Sequence, residues 1–252
     1  MIQNSFCFLE GIERKTEKNL WKQGIKDWES FLKKEKIHGI NPIRKAYYDR
    51  KLIEARKALY DLNSSYFTFK LQMAEHWRLY EFFKEEAVFL DIETSGIEND
   101  GYITIIGLFD GINTKTMVKD VNLDFKVLKA ELQKYKIIIT FNGNVFDIPY
   151  LEKYAPGLFP EIPRIDLRHL CKRVGLKGGL KQLEKEVNIK RQNEIVDKLY
   201  GGDAIKLWRR YKATGDQYFL NLLVEYNEED VINLKLIMEK IYNSLISKAF
   251  EN

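Results

Sequence analysis

The chain contains little cysteine, proline and glycine: its 252 residues include two cysteines, five prolines and 15 glycines. Cys7 and Cys171 lie far apart in the sequence, which excludes a disulfide framework and a Cys-x-x-Cys metal site. A hydrophobic content of 45% excludes a mainly disordered or collagen-like chain. No apolar run approaches the roughly 20 residues that cross a bilayer, so we expect no membrane partner. No basic segment followed by an apolar core occurs near residue 1, which predicts a cytoplasmic protein without a signal peptide.

The formal net charge of +4 is unevenly distributed. Residues 1–86 carry 17 basic and 13 acidic residues, whereas residues 87–252 carry 24 of each. Within the second part, residues 164–212 hold 14 Lys or Arg and six Asp or Glu, so acidic residues are in excess elsewhere in that part. This separation suits a protein that holds cations and a polyanion side by side. Solvated helix faces give the same pattern, so charge alone leaves both interpretations open.

The spacing of apolar residues changes near residue 87. Residues 6–86 have mostly helical spacing, and Asn41-Pro42 predicts the start of one helix. Short apolar runs at 88–90, 102–109, 116–118 and 136–141 predict strands, with a turn from Gly96 to Gly101 between the first two. Residues 125–135 are predicted as a helix, and the chain after Phe146 as largely helical. We therefore predict an α/β fold with a mixed sheet flanked by helices, and a helical accessory region over residues 1–86.

Asp91 and Glu93 follow the first predicted strand in an Asp-x-Glu motif. Because side chains in a strand alternate between its two faces, both carboxylates project from the same face. Neighbouring carboxylates repel each other, and a metal cation relieves this repulsion. A strand that turns polar where it reaches solvent would show the same residues.

Two further motifs carry acidic residues. Asn142, Phe146 and Asp147 lie after the strand at 136–141, where ligands bind in many α/β sheets, although Asn, Gly and Asp are also ordinary turn residues. Tyr226 and Asp230 are four residues apart, and helical spacing places both on the inward face of a late helix. A buried face with these two polar groups needs a polar partner. An acidic first turn of a helix is the alternative interpretation of that motif.

Together the three motifs resemble the DEDD superfamily of 3′–5′ exonucleases, whose fold is ribonuclease H-like. The family pattern is Asp-x-Glu on a first strand, Asn-x3-Phe-Asp after a later strand and Tyr-x3-Asp on a late helix, and all three occur here in that order. The histidine subtype has histidine where this chain has Glu225, so the chain resembles the tyrosine subtype (DEDDy) of family B polymerase proofreading domains. The resemblance covers about residues 87–245, and residues 159–184 further resemble prokaryotic stand-alone ribonuclease H-like exonucleases.

The resemblance assigns a role to each motif residue. Asp91, Glu93 and Asp230 would hold one of two Mg²⁺ or Mn²⁺ ions, Asp91 would bridge to the second, and Asp147 would support it. Tyr226 would orient the attacking water by a hydrogen bond. Both cations prefer oxygen ligands, and two such ions roughly 3.5–4 Å apart can activate water and stabilise the leaving oxygen of a phosphodiester.

The function implied by the resemblance is a metal-dependent 3′–5′ exonuclease domain over residues 87–252. Its expected partners are the 3′ ends of single-stranded DNA, with RNA as the near alternative. A third interpretation is a nucleic-acid-binding subunit of a repair or replication complex. The sequence identifies no protein partner.

Several residues are candidates for contacts with the nucleic acid. Asn142 and Phe146 belong to the second motif. Lys177 and Lys181 flank a Gly-Gly turn that precedes a predicted helix, where backbone amides and a lysine can bind phosphate. Solubilising surface and core packing are the alternatives for the lysines and for Phe146. Asp166 is a candidate supporting residue for the site, or the polar end of a strand.

Residues 9–32 resemble a degenerate helix-hairpin-helix element, a phosphate-binding motif. Leu9, Gly11 and Ile12 fit its pattern, but Glu13 stands where the motif has a second glycine, and it would place an acid next to the phosphate. A helical pair that supports the nuclease domain is the alternative interpretation.

Overall fold

The computed structural model describes residues 1–96 and 101–251, and residues 97–100 of the predicted turn lie outside the described residues. The first 86 residues are mainly helical, as predicted. The α-helices in this region are α1 Arg14–Lys22, α2 Trp28–Lys33, α3 Pro42–Tyr60, α4 Ser65–Thr68 and α5 Tyr80–Phe83, with 3-10 helices at Ile2–Asn4, Met73–Leu79 and Lys84–Glu86. Asn41 caps α3 by accepting from the backbone N–H of Arg44, and Pro42 occupies its first position.

A five-stranded mixed sheet follows. Its strands are β1 Ala87–Thr94, β2 Ile103–Phe109, β3 Thr114–Val118, β4 Ile137–Thr140 and β5 Arg164–Asp166, in the spatial order β3-β2-β1-β4-β5. β1 pairs antiparallel with β2 and parallel with β4, β2 pairs antiparallel with β3, and β4 pairs parallel with β5. The predicted fold class, a mixed sheet flanked by helices, is confirmed.

The chain after Phe146 is largely helical, as predicted, but it also contains the strand β5. This strand has three residues, and its last residue, Asp166, is the N-cap of the next helix, so it is too short to show a strand period. The remaining helices are α6 Phe125–Leu132, α7 Asp147–Tyr154, α8 Leu167–Arg173, α9 Leu180–Glu186, α10 Glu194–Lys198, α11 Gly201–Thr214 and α12 Gln217–Phe250.

Alternation of side chains along β1 separates the two faces of the sheet. Val88 and Leu90 pack with apolar side chains of α6 and α7, including Leu128 and Leu151. Phe89 lies on the opposite face, in a core shared with α8, α9 and α12. The acidic residues of β1 therefore lie on the strand that has helices packed on both faces.

The accessory region contributes to the second of these cores. Buried side chains such as Trp28 and Leu52 belong to the same apolar cluster as Ile139 of β4 and Ile237 of α12. Residues 71–83, which have helical spacing, form a 3-10 helix over Met73–Leu79 and then α5. Division of the chain into a region 1–86 and a domain 87–252 stays a prediction, because the two parts share one apolar core.

The region that resembles a helix-hairpin-helix has α1 and α2, but only a 3-10 turn at Ile2–Asn4 before residue 9. The carbonyl of Glu10 accepts hydrogen bonds from Tyr48 and Arg44 of α3, so this loop is held against that helix. A phosphate-binding role for residues 9–32 stays a prediction. Across the described residues, no helix is both long and apolar enough to cross a membrane.

Candidate active site

Three carboxyl groups meet at β1 and the middle of α12. One carboxylate oxygen each from Asp91, Glu93 and Asp230 lies within 4.8 Å of the others. Asp91 and Glu93 are on the same face of β1, as their spacing predicts, and α12 packs across β1 and β2. The structure therefore joins two of the sequence motifs, which are more than 130 residues apart.

Asp147, from the remaining motif, approaches the same site from the other side of β1. It is the first residue of α7, and its carboxylate Oδ1 accepts a hydrogen bond of 3.0 Å from the backbone N–H of Ile92. Ile92 lies between Asp91 and Glu93 in the strand, so this bond fixes Asp147 beside both carboxylates. The side chain of Asp147 is 3% exposed, which leaves its charge little access to water.

Burial raises the pKa values of all four acids, and repulsion by the neighbouring acids adds to it at Asp91 and Glu93. The pKa of Asp91 is raised well above its usual range, first by burial and then by the charges of Asp147 and Asp230. The pKa of Glu93 rises for the same two reasons. Burial raises the pKa of Asp147 to about 7 and that of Asp230 to about 6. Each carboxylate is thus costly to ionise unless a cation accompanies it.

Arg191 supplies one cation at the edge of this cluster. Its Nη2 donates to Oδ1 of Asp230 and, at 2.7 Å, to Oε1 of Glu184, while its Nε donates to Oε2 of Glu184. Burial would lower the pKa of the Arg191 guanidinium, but the charges of Asp230 and Glu184 outweigh it and raise that pKa. Asn233 of α12 also donates to Glu184, at 3.0 Å. Arg191 neutralises part of the acidic cluster and leaves Asp91, Glu93 and Asp147 without a cation of their own among the described residues.

Asn227 holds Asp91 from the face of α12. Its Nδ2 donates to Asp91 Oδ2 at 2.8 Å, and the residue is fully buried. The close approach of α12 depends on Gly107, the β2 residue paired with Asp91, because a Cβ there would clash with Oδ1 of Asn227. Gly107 and Asn227 thus position an acid of the site without being acidic themselves.

Tyr226 lies one residue before Asn227 on the buried part of α12. Burial, followed by the charge of Asp230, raises the pKa of the Tyr226 phenol, so its hydroxyl stays protonated at any physiological pH. The charged ends of Lys181 and Arg191 lie 5.5 Å and 5.3 Å from the centre of its ring. The phenol is therefore a hydrogen-bond donor beside the acidic cluster and not a base.

Asp166 shapes the turn after β4. Its Oδ1 accepts from the backbone N–H of Asn142 at 2.9 Å and from that of Arg168 at 3.1 Å, where Asp166 is the N-cap of α8. Asn142 has a positive φ of 62°, and its side-chain oxygen accepts from Arg168 at 2.9 Å. Asp166 both ends β5 and fixes the turn that leads to Asp147.

The other candidate contact residues lie in different settings. Phe146 is half-buried and packs against the ring of Tyr150, with the two ring centres 5.5 Å apart. Lys181 donates from Nζ to the carbonyls of Val196 and Asp197, at 2.8 Å each. Lys177 is exposed. Nucleic-acid contacts by Asn142, Phe146, Lys177 and Lys181 stay predictions.

Three site residues were not found from the sequence: Glu184, Arg191 and Asn227. Asn227 has a weak signal, since it lies three residues before Asp230 and therefore near it on the inward face of α12. Glu184 and Arg191 carry none, because they lie in the basic stretch 164–212, where both appear as ordinary surface charges.

A comparison with protein families places the chain in a known superfamily. Residues 88–242 match the model of the RNase H superfamily, which is well over half of the chain. The chain belongs to the RNase H superfamily. The superfamily match and the acidic cluster support a nuclease activity.

Among solved structures, the chain is similar to the family B DNA polymerase from the hyperthermophilic archaeon Pyrobaculum calidifontis, with 17% identity and a TM-score of 0.49. The match covers 62% of this chain and 24% of the polymerase chain, so the matched part is about a quarter of that protein. A comparison with curated proteins gives no match.

The donor set fits a divalent metal. The cluster offers carboxylate oxygens, with no histidine or cysteine in the group of possible ligands found among the described residues. Mg²⁺ and Mn²⁺ prefer such oxygens, and a divalent charge would stabilise the ionised form of these buried carboxylates.

Proposed function

We propose that this chain is a metal-dependent 3′–5′ exonuclease of the tyrosine subtype that degrades single-stranded nucleic acid, with DNA favoured. The observation that carries the proposal is the convergence of Asp91, Glu93 and Asp230, whose oxygens lie within 4.8 Å of one another. Asp147 lies beside them through its bond to β1, and Tyr226 is on the same helix as Asp230. All five residues occupy motif positions of the DEDD superfamily.

Asp91, Glu93 and Asp230 would hold Mg²⁺ or Mn²⁺, and Asp147 would support a second ion beside Asp91. When bound, the two metal ions would lower the pKa of a water molecule and stabilise charge on the leaving oxygen. The chain's own residues prepare this site. Asn227 fixes one oxygen of Asp91, the backbone of Ile92 fixes Asp147, and Arg191 offsets the charge of Asp230.

Tyr226 would act by orientation. Because its phenol stays protonated, it can donate a hydrogen bond to the attacking water, which leaves a lone pair of that water directed at the phosphorus. Burial of the ring holds the hydroxyl in one place. Removal of the hydroxyl in Tyr226→Phe would then lower kcat more than it changes KM.

The decisive experiment uses 3′-labelled and 5′-labelled single strands of DNA and RNA with Mg²⁺, Mn²⁺ or EDTA. We expect mononucleotides to be released from the 3′ end in the presence of metal and not in EDTA. Asp91→Asn should abolish cleavage, since it removes a charged ligand while retaining the shape of the side chain. Asp61→Asn, an exposed aspartate on the accessory region, is the matched control and should cleave like the native protein.

The possible results separate the interpretations. Cleavage in EDTA would exclude a metal mechanism, and internal cuts would exclude an exonuclease. A preference for RNA would favour the exoribonuclease. Strand binding without any cleavage would favour a nucleic-acid-binding subunit of a repair or replication complex. Thermal unfolding of Asp91→Asn in EDTA should occur no lower than that of the native protein, because the substitution relieves repulsion among the acids.

A further inference from the structure

A cavity of about 620 Å³ lies where the accessory region meets the edge of the sheet. This volume is within the range of about 300–1,000 Å³ that ligand sites occupy. The accessory region contributes Met73 and Trp77 to its wall, and the nuclease part contributes Asn142, Ile165, Lys172 and Lys177. The cavity is thus built by both parts of the chain.

One side of the cavity is apolar. Ile165, Leu170 and Leu183 line it together with Trp77, and all four are buried. The indole Nε1 of Trp77 has no hydrogen-bond partner among the described residues, although it is buried. Met73 and Val145 add apolar lining that is exposed to the cavity. A flat, largely apolar group suits this wall.

The rim of the cavity is cationic. Arg168, Lys172 and Lys177 are exposed there, and neither lysine forms an ion pair within residues 1–96 and 101–251. Among the described residues that line the cavity, Asp166 is the only acid, and its carboxylate already accepts from backbone N–H groups of the turn after β4. The rim therefore presents an excess of positive charge to an anion.

The cavity is adjacent to the proposed reaction site along the chain. Asn142, Asn144 and Val145 form part of its lining, and the same turn leads to Asp147 at the start of α7. A strand whose 3′ end lies at Asp147 would pass over this turn before it reaches the lysines.

We propose that the cavity binds a nucleotide of the single strand upstream of the 3′-terminal one, a role that rests on the proposed exonuclease function. The base lies against the exposed apolar side chains of Met73 and Val145, and adjacent phosphates lie at Lys172 and Lys177. A paired base cannot reach such a wall without leaving its duplex, so the cavity selects single strands. The accessory region thereby takes part in substrate binding through Met73.

The test measures binding apart from cleavage. Fluorescence anisotropy of a 5′-labelled thymidine hexanucleotide is followed in EDTA over a range of KCl concentrations. The double variant Lys172→Ala/Lys177→Ala should reduce the slope of log affinity against log salt by about 1.4, since each phosphate contact on a single strand contributes about 0.7. The control Lys126→Ala/Lys129→Ala removes two exposed lysines from α6, which packs on the opposite face of the sheet, and should leave the slope unchanged.

A second series locates the base and identifies the ligand. An abasic nucleotide moved stepwise from the 3′ end should weaken binding to the native protein most at one internal position. Equal slopes for the native protein and both double variants would overturn the proposal. A different result is that free thymidine monophosphate competes for the native protein but not for Lys172→Ala/Lys177→Ala, while the salt slope for the strand is the same in both. That result would assign the cavity to the released nucleotide. Lysine-dependent binding without cleavage would refute the exonuclease and leave the cavity proposal intact.

Discussion

At the scale of single residues, Arg191 decides how much charge the acidic cluster can hold. Its guanidinium is 1% exposed and pairs with the buried carboxylates of Glu184 and Asp230. Arg191→Ala leaves both carboxylates buried without their partner, and such a loss costs about 3–5 kcal/mol. We expect the free energy of unfolding in urea to fall by about this amount in EDTA. Saturating Mn²⁺ should restore part of it, because metal binding to the folded state adds stability.

Arg56→Ala is the control for this prediction. Arg56 pairs with Glu29 on the surface, where 49% of the Arg56 side chain is exposed, and exposed pairs contribute about 0–1 kcal/mol. Equal losses in the two variants would show that Arg191 is not a buried structural cation. A loss in Arg191→Ala that Mn²⁺ leaves unchanged would separate this arginine from the metal site.

Asp147 makes the stability of the metal-free protein depend on pH. Burial raises its pKa from an ordinary 3.8 to about 7, so the folded protein binds its proton more tightly than the unfolded chain does. The stability from this group is therefore complete below about pH 4 and is lost as the pH rises to about 7. In EDTA, the native protein should lose up to about 1.4 kcal/mol per pH unit relative to Asp147→Asn between these limits. The same pH dependence of the free energy of unfolding in urea for the native protein and Asp147→Asn would contradict the raised pKa. Asp61→Asn should show the pH dependence of the native protein.

The acids of the site could be predicted because each falls in a short motif with a fixed spacing. Asp91 and Glu93 lie two residues apart on one face of a strand, and Tyr226 and Asp230 lie one helical turn apart. Arg191 could not be predicted in the same way, since its contact with Asp230 depends on how the segment after α9 folds back on α12. The sequence therefore indicated the acids of the cluster but not the residue that balances their charge.

At the scale of elements, the site depends on how closely α12 approaches β2. The two are in contact where Asn227 lies over Gly107, and a Cβ at residue 107 would also lie 3.2 Å from Val231. Gly107→Ala should destabilise the protein by about 1–3 kcal/mol, the usual cost of overpacking a core. Addition of Asn227→Ala to Gly107→Ala should cost less than the sum of the two single changes, because the second substitution removes the clash.

Urea unfolding of the four proteins in this cycle checks the prediction. Gly202→Ala is the matched control, since residue 202 lies in α11 and a Cβ there meets nothing within 4 Å. It should be neutral or slightly stabilising, as alanine is favoured over glycine in helices. Strictly additive effects at residues 107 and 227 would show that the helix tolerates the extra methyl group by another route.

Helices and strands could be predicted where the spacing of apolar residues repeats over enough positions. The helix α3 begins at the predicted Pro42, and β1, β2 and β4 fall on the predicted apolar runs. β5 could not be predicted because three residues show no period, and its pairing with β4 is what stabilises it. Residues 73–79 show helical spacing but form a 3-10 helix, in which Glu75 and Arg78 are buried in contact with more distant residues.

At the scale of the whole molecule, the structure shows where the basic residues of the stretch 164–212 lie. The basic stretch 164–212 contributes Arg168, Lys172 and Lys177 to the cavity rim, and also Arg191 to the acidic cluster. Composition could show the excess of positive charge but not that some of it is internal. Likewise, the change in pattern near residue 87 could be read from the sequence, whereas the common core of the two parts depends on contacts between distant residues.

The two parts should also unfold together. Arg78 is 2% exposed, and its guanidinium pairs with Glu17 of α1 at 2.8 Å and with Glu75. Glu75 also pairs with Arg173 of α8 at 3.3 Å. Arg78→Ala leaves two buried carboxylates short of a partner, which costs about 3–5 kcal/mol. Because α3 and β4 belong to one apolar cluster, hydrogen exchange should quicken by the same factor in peptides from both elements. Arg50→Ala, on the exposed face of α3, should change neither peptide, and faster exchange confined to α3 would mean that the accessory region unfolds separately from the sheet.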